Sequence, residues 1–279
     1  MNDTVRARLA AVLEQLGGSA APLGGGTNTP TWRVDGLVVR LLAGGSIHDA
    51  GPERTPSALA DVARRAAATG ASPQVVAYLP EESALVLQHA PGAPLTDAAL
   101  RDPAALSRAA AAVRRLHSGT LTGRSLNMHR FLLEYARAPL LPAGWTDALP
   151  RVRRIVDSLA EAPPVLCHGD LVAANLIDDG DRVWLIDVDD AVDADPAYDL
   201  GGLWVQAGLD EGHLRVLLDA YDGDVETERV LRWALVVAFG WTAWSRLRAQ
   251  QRVPTGYDAL AFGDRLWAYA RERLTEGPV

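Results

Sequence analysis

Between Cys167 and Asp199 the chain reads CHGDLVAANLIDDGDRVWLIDVDDAVDADPAYD. Within it His168-Gly169-Asp170 is followed after four residues by Asn175, and then by Asp187. This is a spaced set of oxygen ligands with a candidate base. Phosphoryl transfer needs such a set: an Asp to orient or deprotonate an attacking hydroxyl, and an Asn and a second Asp to hold the Mg²⁺ that bridges nucleotide phosphates. Mg²⁺ takes one or two carboxylates plus phosphate and water in preference to a full protein cage. Nine aspartates fall between positions 178 and 199, and an acidic turn explains those at 178–181. It does not explain Asp187, which directly follows the apolar run Val183-Trp184-Leu185-Ile186. A carboxylate at the mouth of a buried hairpin is costly without a partner such as a metal ion.

Composition removes several other chemistries. All 27 basic residues are Arg, and the 279-residue chain has no lysine. A Walker A loop, a Schiff base and pyridoxal-phosphate chemistry each need a lysine. The net charge of −8 argues against nucleic acid as the main partner and is compatible with a cationic one. The single cysteine, Cys167, excludes an intrachain disulfide. Its neighbour His168 would point to the opposite face of a strand, so the two read as a buried thiol and an independent imidazole. No apolar run is long enough for a membrane span. The N-terminal segment, with Val5, Leu9, Val12, Leu13 and Leu16 on one helical face, reads as the first amphipathic helix of a cytoplasmic protein.

The elements that must position these residues follow from periodicity and turn signals. A helix is expected over about 3–16, then the glycine-rich turn Gly24–Asn28, a strand Thr31–Val34, the turn Asp35-Gly36 and a second strand Leu37–Leu42. Arg40 falls near the end of that second strand. Ser57 is placed to cap a helix running to about Thr69. Val75–Tyr78 and Leu85–Gln88 read as two further strands. Ala90-Pro91-Gly92-Ala93-Pro94 is the clearest break and sets the expected boundary between a unit over 1–90 and one over 91–279. Beyond it the pattern is helical over about 104–118, 127–137, 145–160, 210–221, 226–250 and 257–274. Short β-like runs occur at 164–168, 176–177 and 183–186.

The ordered set resembles the catalytic core of the aminoglycoside phosphotransferase / choline kinase-like family. Its H-G-D-x-x-x-x-N, I-D-x and D-P-x-x-D elements stand here as His168-Gly169-Asp170…Asn175, Ile186-Asp187-Val188 and Asp195-Pro196-Ala197-Tyr198-Asp199. Gly25-Gly26-Thr27-Asn28, Trp32-Arg33-Val34 and Val38-Val39-Arg40-Leu41 are similar to the N-terminal pattern of the choline and thiamine kinase branch, and Leu116-His117 also fits. The resemblance covers most of the chain in the right order. It implies an α+β, bilobal protein-kinase-like fold, with a small β-rich N-lobe and a larger, mostly helical C-lobe.

By position it implies Asp170 as catalytic base and Asn175 and Asp187 as Mg²⁺ ligands. Arg40 would contact ATP phosphates with a bidentate fork in place of a lysine point charge. Gly25, Gly26, Thr27 and Asn28 would cover the phosphates with backbone N–H groups, although a plain turn explains them too. Gln88 to Ala90 would form the adenine hinge. Asp189 and Asp190 are candidate substrate contacts, and Trp204 and Trp241 candidate walls of a cation pocket, with core packing as the plain alternative. His168 and Asp199 are expected to support the catalytic loop. One position departs from the pattern: the helix acid that pairs with the strand cation is replaced by Leu59, with Glu53 and Asp61 nearby. The expected function is ATP- and Mg²⁺-dependent phosphorylation of a hydroxyl on a small cationic molecule, such as a basic antibiotic or an amino-alcohol. A weak or inactive nucleotide-binding relative is the alternative. The expected protein binds neither nucleic acid nor membrane and is a monomer or homodimer.

Overall fold

The computed structural model describes residues 3–23, 29–43, 54–159, 162–251 and 258–275. Helix α1 (Asp3–Leu16) lies on one face of a five-stranded antiparallel sheet. The strands are β1 (Ala20–Pro22), β2 (Thr31–Val34), β3 (Leu37–Leu41), β4 (Val75–Leu79) and β5 (Ala84–Gln88), in spatial order β1-β2-β3-β5-β4. Side-chain alternation explains what each face carries. Val39 and Leu41 of β3 join Leu9, Val12, Trp32, Val34 and Val86 in a core under α1. Arg40, between them, is turned to the other face, toward the rest of the molecule.

Helix α2 (Pro56–Ala68) starts two residues earlier than a Ser57 cap would place it. The cap is Thr55, whose hydroxyl accepts from Ala58 N at 3.3 Å, and Pro56 occupies the first helical position, where no N–H is needed. Leu59 packs into the main core with Leu42 and Leu85. Strand β6 (Ala93–Pro94) already belongs to the second sheet, ordered β6-β8-β9 with β8 (Leu176–Asp178) and β9 (Val183–Leu185). Strand β7 (Val165–Cys167) pairs antiparallel with β10 (Val192–Ala194). Helices α3 (Pro103–His117), α4 (Met128–Tyr135), α5 (Trp145–Ser158), α6 (Pro196–Gln206), α7 (Glu211–Tyr221), α8 (Thr227–Gln251) and α9 (Ala259–Thr275) complete the chain.

Helix α6 lies outside the expected helical ranges. Gly201-Gly202 weakens its intrinsic propensity, but tertiary packing outweighs that loss. A Cβ at Gly201 would lie 2.6 Å from Val230 O, so the glycine lets α6 and α8 approach closely. Asp195 caps α6 through Ala197 N at 2.9 Å, and Pro196 follows at the first helical position. The D-P motif is thus a helix start. The largest core joins α3, α5, α6 and α8 and includes the stacked pair Trp145–Phe239 at 4.2 Å. Among the described residues no helix is long and apolar enough to cross a membrane.

Candidate active site

The segment from β7 to Asn175 is fixed at both ends by backbone pairing. Cys167 pairs with Val192, and Ile186 N donates to Asn175 O at 3.0 Å. The second bond sets Asn175 beside the end of β9, where Asp187 follows. Asp187 adopts a left-handed conformation, φ 61°, which only Asn, Asp and Gly tolerate at modest cost. Gly169 is left-handed too, at φ 84°. A Cβ there would meet Asp190 O at 2.1 Å, so only glycine lets the loop lie against the Asp190 backbone.

Beneath the loop sits Asp199, almost fully buried on α6. It accepts from His168 N at 2.6 Å, Gly169 N at 3.1 Å and His117 Nε2 at 3.1 Å. Burial alone would raise its carboxyl pKa, but the His117 bond and charge, with His168 beyond, outweigh it and hold the carboxyl below the usual range. His117 Nδ1 lies 2.8 Å from Tyr221 Oη, extending the network to α7. His168 Nδ1 accepts from Asp170 N at 3.3 Å, so the other nitrogen carries the proton and donates to Ile186 O at 2.9 Å. His168 and Asp199 thus both bond to the loop backbone. Tyr198 Oη donates to Gly169 O at 3.1 Å. Cys167 is buried apart from the imidazole, its thiol directed at Ala194 O and Asp195 O, and burial pushes its pKa well up.

Asp170 is held in an unusual state. Its backbone carbonyl accepts from Asn175 Nδ2 at 2.8 Å, while its Oδ1 is buried with no hydrogen-bond partner among the described residues. Burial, then the charges of Asp190 and Asp187, push its carboxyl pKa up to about 8, against weaker opposing effects of Asn175 and Arg54. Because Asn175 uses its Nδ2 on the loop, its oxygen remains the donor atom for an external cation. The Asp187 side chain is 44% exposed. An amide oxygen and an accessible carboxylate are hard donors of the kind Mg²⁺ takes, so the residues fit that ion.

Arg40 reaches across to this cluster. Its Nη2 donates to Asp187 Oδ1 at 2.6 Å and to Asp189 Oδ2 at 3.1 Å, and its Nη1 to Asp189 Oδ1 at 2.9 Å. Burial on its own would lower the guanidinium pKa, but the two carboxylates outweigh it and raise it. Leu59 therefore leaves no unpaired cation: the acids facing Arg40 come from the other lobe. Arg54 donates to Asp190 Oδ1 at 2.8 Å and approaches Asp189 Oδ2 at 3.5 Å. Burial, together with Asp187 and Asp189 and against Arg54, raises the Asp190 carboxyl pKa.

The expected substrate contacts divide. Asp189 is 4% exposed and engaged by arginines through both oxygens, which removes it from contact with a substrate in this arrangement. Trp204 is likewise corrected: it is buried, donates from Nε1 to Asp210 O at 2.9 Å, and packs edge-on against Tyr269. It is a core residue, drawn inward by the close packing of α6. Trp241 is partly exposed and lines a small cavity behind Gly169 with Tyr198 and Gln206. Asp190 stays at the loop, with a 44% exposed side chain. Gln88 closes β5, exposed and paired with Leu37, and Ala90 follows it, half-buried. Gly25, Gly26, Thr27, Asn28 and Glu53 lie outside the described residues.

Three site residues were not legible in the sequence. Arg54 precedes α2 in a Gly/Pro-rich stretch that looks like plain connection. Arg124 donates to Asp189 O at 2.9 Å from a loop held by Asp193, which accepts from Thr122 N and Gly123 N at 2.8 and 2.6 Å. Tyr135, at the end of α4, has its phenol pKa raised by burial and then by charges that include Asp190 and Asp170. No local spacing signals any of these contacts.

Residues 19–234 match the model of the phosphotransferase enzyme family. No curated protein matches the chain. Among solved structures, a choline/ethanolamine kinase family protein from Mesorhizobium loti is 27% identical with a TM-score of 0.80, over 99% of this chain and 95% of that one. The choline kinase LicA from Streptococcus pneumoniae is 16% identical with a TM-score of 0.76, over 96% and 99%. The aminoglycoside phosphotransferase APH(3'')-Id from Streptomyces rimosus, in complex with ADP and streptomycin, is 22% identical with a TM-score of 0.62, over 86% and 100%. The fold is thus that of the protein-kinase-like small-molecule phosphotransferases, β-rich at the N-terminus and helical beyond. The chain belongs to the phosphotransferase enzyme family.

Proposed function

We propose that this enzyme transfers the γ-phosphate of ATP to a hydroxyl of a small cationic acceptor, with Asp170 as the base. The observation that carries the reading is the Asp170 carboxylate, its Oδ1 buried and without a hydrogen-bond partner among the described residues, on a loop fixed by Asn175, His168 and Asp199. Burial and the neighbouring Asp190 and Asp187 charges push its pKa up to about 8. A carboxylate tuned this close to neutrality suits general base work. Asn175 and Asp187 would hold Mg²⁺, which when bound supplies charge neutralisation on the phosphates. Arg40 would contact the phosphates with its fork, Gly24–Asn28 would cover them, and the backbone of Gln88–Ala90 would meet the adenine. On this reading residues 1–90 form the nucleotide lobe and 91–279 the acceptor lobe.

A cationic acceptor is favoured by what surrounds Asp170. Asp190 is half-exposed beside it, Tyr135 stands in the field of both carboxylates, and Trp241 lies behind the loop. Carboxylates beside aromatic rings suit an ammonium group. An amino-alcohol and a basic antibiotic both satisfy this description. The reading of a weak or inactive relative rests on Leu59, and the carboxylates that Arg40 meets instead weigh against it.

The reading is tested by ADP release from MgATP with a panel of amino-alcohols, aminoglycosides and basic peptides. At least one compound is expected to stimulate release; a panel with no effect argues against the acceptor class. The metal assignment has its own readout. Wild type at 100 times its nucleotide dissociation constant gains about 2.7 kcal/mol, a rise of several degrees in melting temperature. Asp187→Ala is expected to lose most of the part of that rise that depends on Mg²⁺. An equal Mg²⁺-dependent shift in both proteins would remove Asp187 from the metal site.

A further inference from the structure

Arg40 makes two kinds of contact. With Asp189 it forms a two-toothed pair, Nη1 to Oδ1 at 2.9 Å and Nη2 to Oδ2 at 3.1 Å, between groups 7% and 4% exposed. With Asp187 it forms one bond at 2.6 Å to a carboxylate whose side chain is 44% exposed. The first is sealed from solvent and the second is open to it. Asp189 is itself held from two further sides. Arg54 approaches its Oδ2 at 3.5 Å, and Arg124 donates to its backbone carbonyl at 2.9 Å. It lies on the 3-10 turn Val188–Asp190, where its geometry is set by the turn that carries Asp187. A guanidinium fork matched to a carboxylate in this way is fixed in direction as well as in place.

We propose that Asp189 is the positioning residue for Arg40. It takes the place of the missing acid on α2, where Leu59 is given over to the core, and supplies the counter-charge from the opposite lobe. It keeps the guanidinium aimed into the cleft while the single bond to Asp187 exchanges for a nucleotide phosphate. Asp187 is freed in the same exchange. This rests on Arg40 being the phosphate contact proposed above. It also ties the strand cation to the turn that bears Asp187, so the two charged groups that meet the nucleotide share one mount.

The test is MgADP affinity by titration calorimetry for wild type, Arg40→Gln, Asp189→Asn and the double variant, with melting temperatures recorded alongside. Arg40→Gln is expected to weaken binding on the order of tenfold, the worth of one charge-assisted hydrogen bond. Asp189→Asn should weaken it to a similar extent, and the double variant no further than Arg40→Gln alone. A purely structural role for Asp189 would lower the melting temperature and leave the affinity of the folded protein unchanged. If Arg40→Gln binds MgADP as wild type does, the phosphate-contact reading falls and takes this inference with it. If Arg40→Gln weakens binding while Asp189→Asn does not, or if the two losses add, the inference alone is overturned. Should Asp189→Asn fail to fold, Asp189→Glu decides. It keeps the charge and displaces the fork by one methylene, so a several-fold loss is expected, and wild-type affinity would overturn the proposal.

Discussion

Asp170→Asn is expected to lower turnover by about a hundred- to ten-thousand-fold, the usual contribution of a positioned base, with nucleotide affinity changed little. The same variant should melt higher than wild type in metal-free buffer at pH 8. The sign follows from linkage. The Asp170 carboxyl has a folded pKa of about 8 against an ordinary 3.8, so the native state binds the proton more tightly than the unfolded chain. Its contribution to stability is full below about pH 4, falls as the pH rises, and is lost above about 8. Asn, which carries no charge, escapes that loss. The gain of Asp170→Asn should therefore be largest at pH 8 and vanish near pH 4. A variant that loses activity without this pH-dependent gain in stability would place Asp170 in a better-solvated setting than the buried, unpartnered Oδ1 implies. A variant that keeps wild-type turnover would remove it as the base.

Asp199→Ala should act in the opposite direction on the fold. The carboxylate is the shared acceptor of two backbone N–H groups of the catalytic loop and of the His117 ring. Removing one partner from a buried charged network costs about 3–5 kcal/mol. At roughly 2–4 °C per kcal/mol for a chain of this size, the melting temperature should fall by about 10 °C, with activity lost as the loop detaches. The pH dependence is the mirror of that of Asp170. Because the folded pKa of Asp199 is depressed, its stabilisation is present above the ordinary carboxylate pKa and lost as the pH falls through the lower folded value. A drop of less than about 2 °C for Asp199→Ala would mean that the loop is held by something other than this network.

The contrast between these two aspartates marks how far the sequence could be read. Spacing alone brought Asp170, Asn175 and Asp187 together as one set, because loop, hairpin and strand end are consecutive and their backbone bonds are local. The hairpin β2–β3 and the position of Arg40 were legible for the same reason. What Arg40 meets was not legible, since Asp189 is 149 residues away and the contact joins strand β3 to the turn after β9. The His117–Asp199 pair spans 82 residues and was equally silent, although both residues stood in recognisable motifs. Trp204 misled because a Trp just past a catalytic motif fits a pocket wall as well as a core. Only the close approach of α6 to α8, permitted by Gly201, decides that it is buried. Helix α6 itself was hidden by the glycines that make that approach possible.

The proposed phosphoryl transfer is tested most directly by where the phosphate goes. ³¹P NMR of the wild-type protein with MgATP and a cationic hydroxyl compound that stimulates turnover should show the γ-phosphate signal replaced by a phosphomonoester on the acceptor, with ADP formed in equal amount. Asp170→Asn under the same conditions should show neither. Inorganic phosphate as the sole product, or an unchanged phosphomonoester signal from Asp170→Asn, would contradict it.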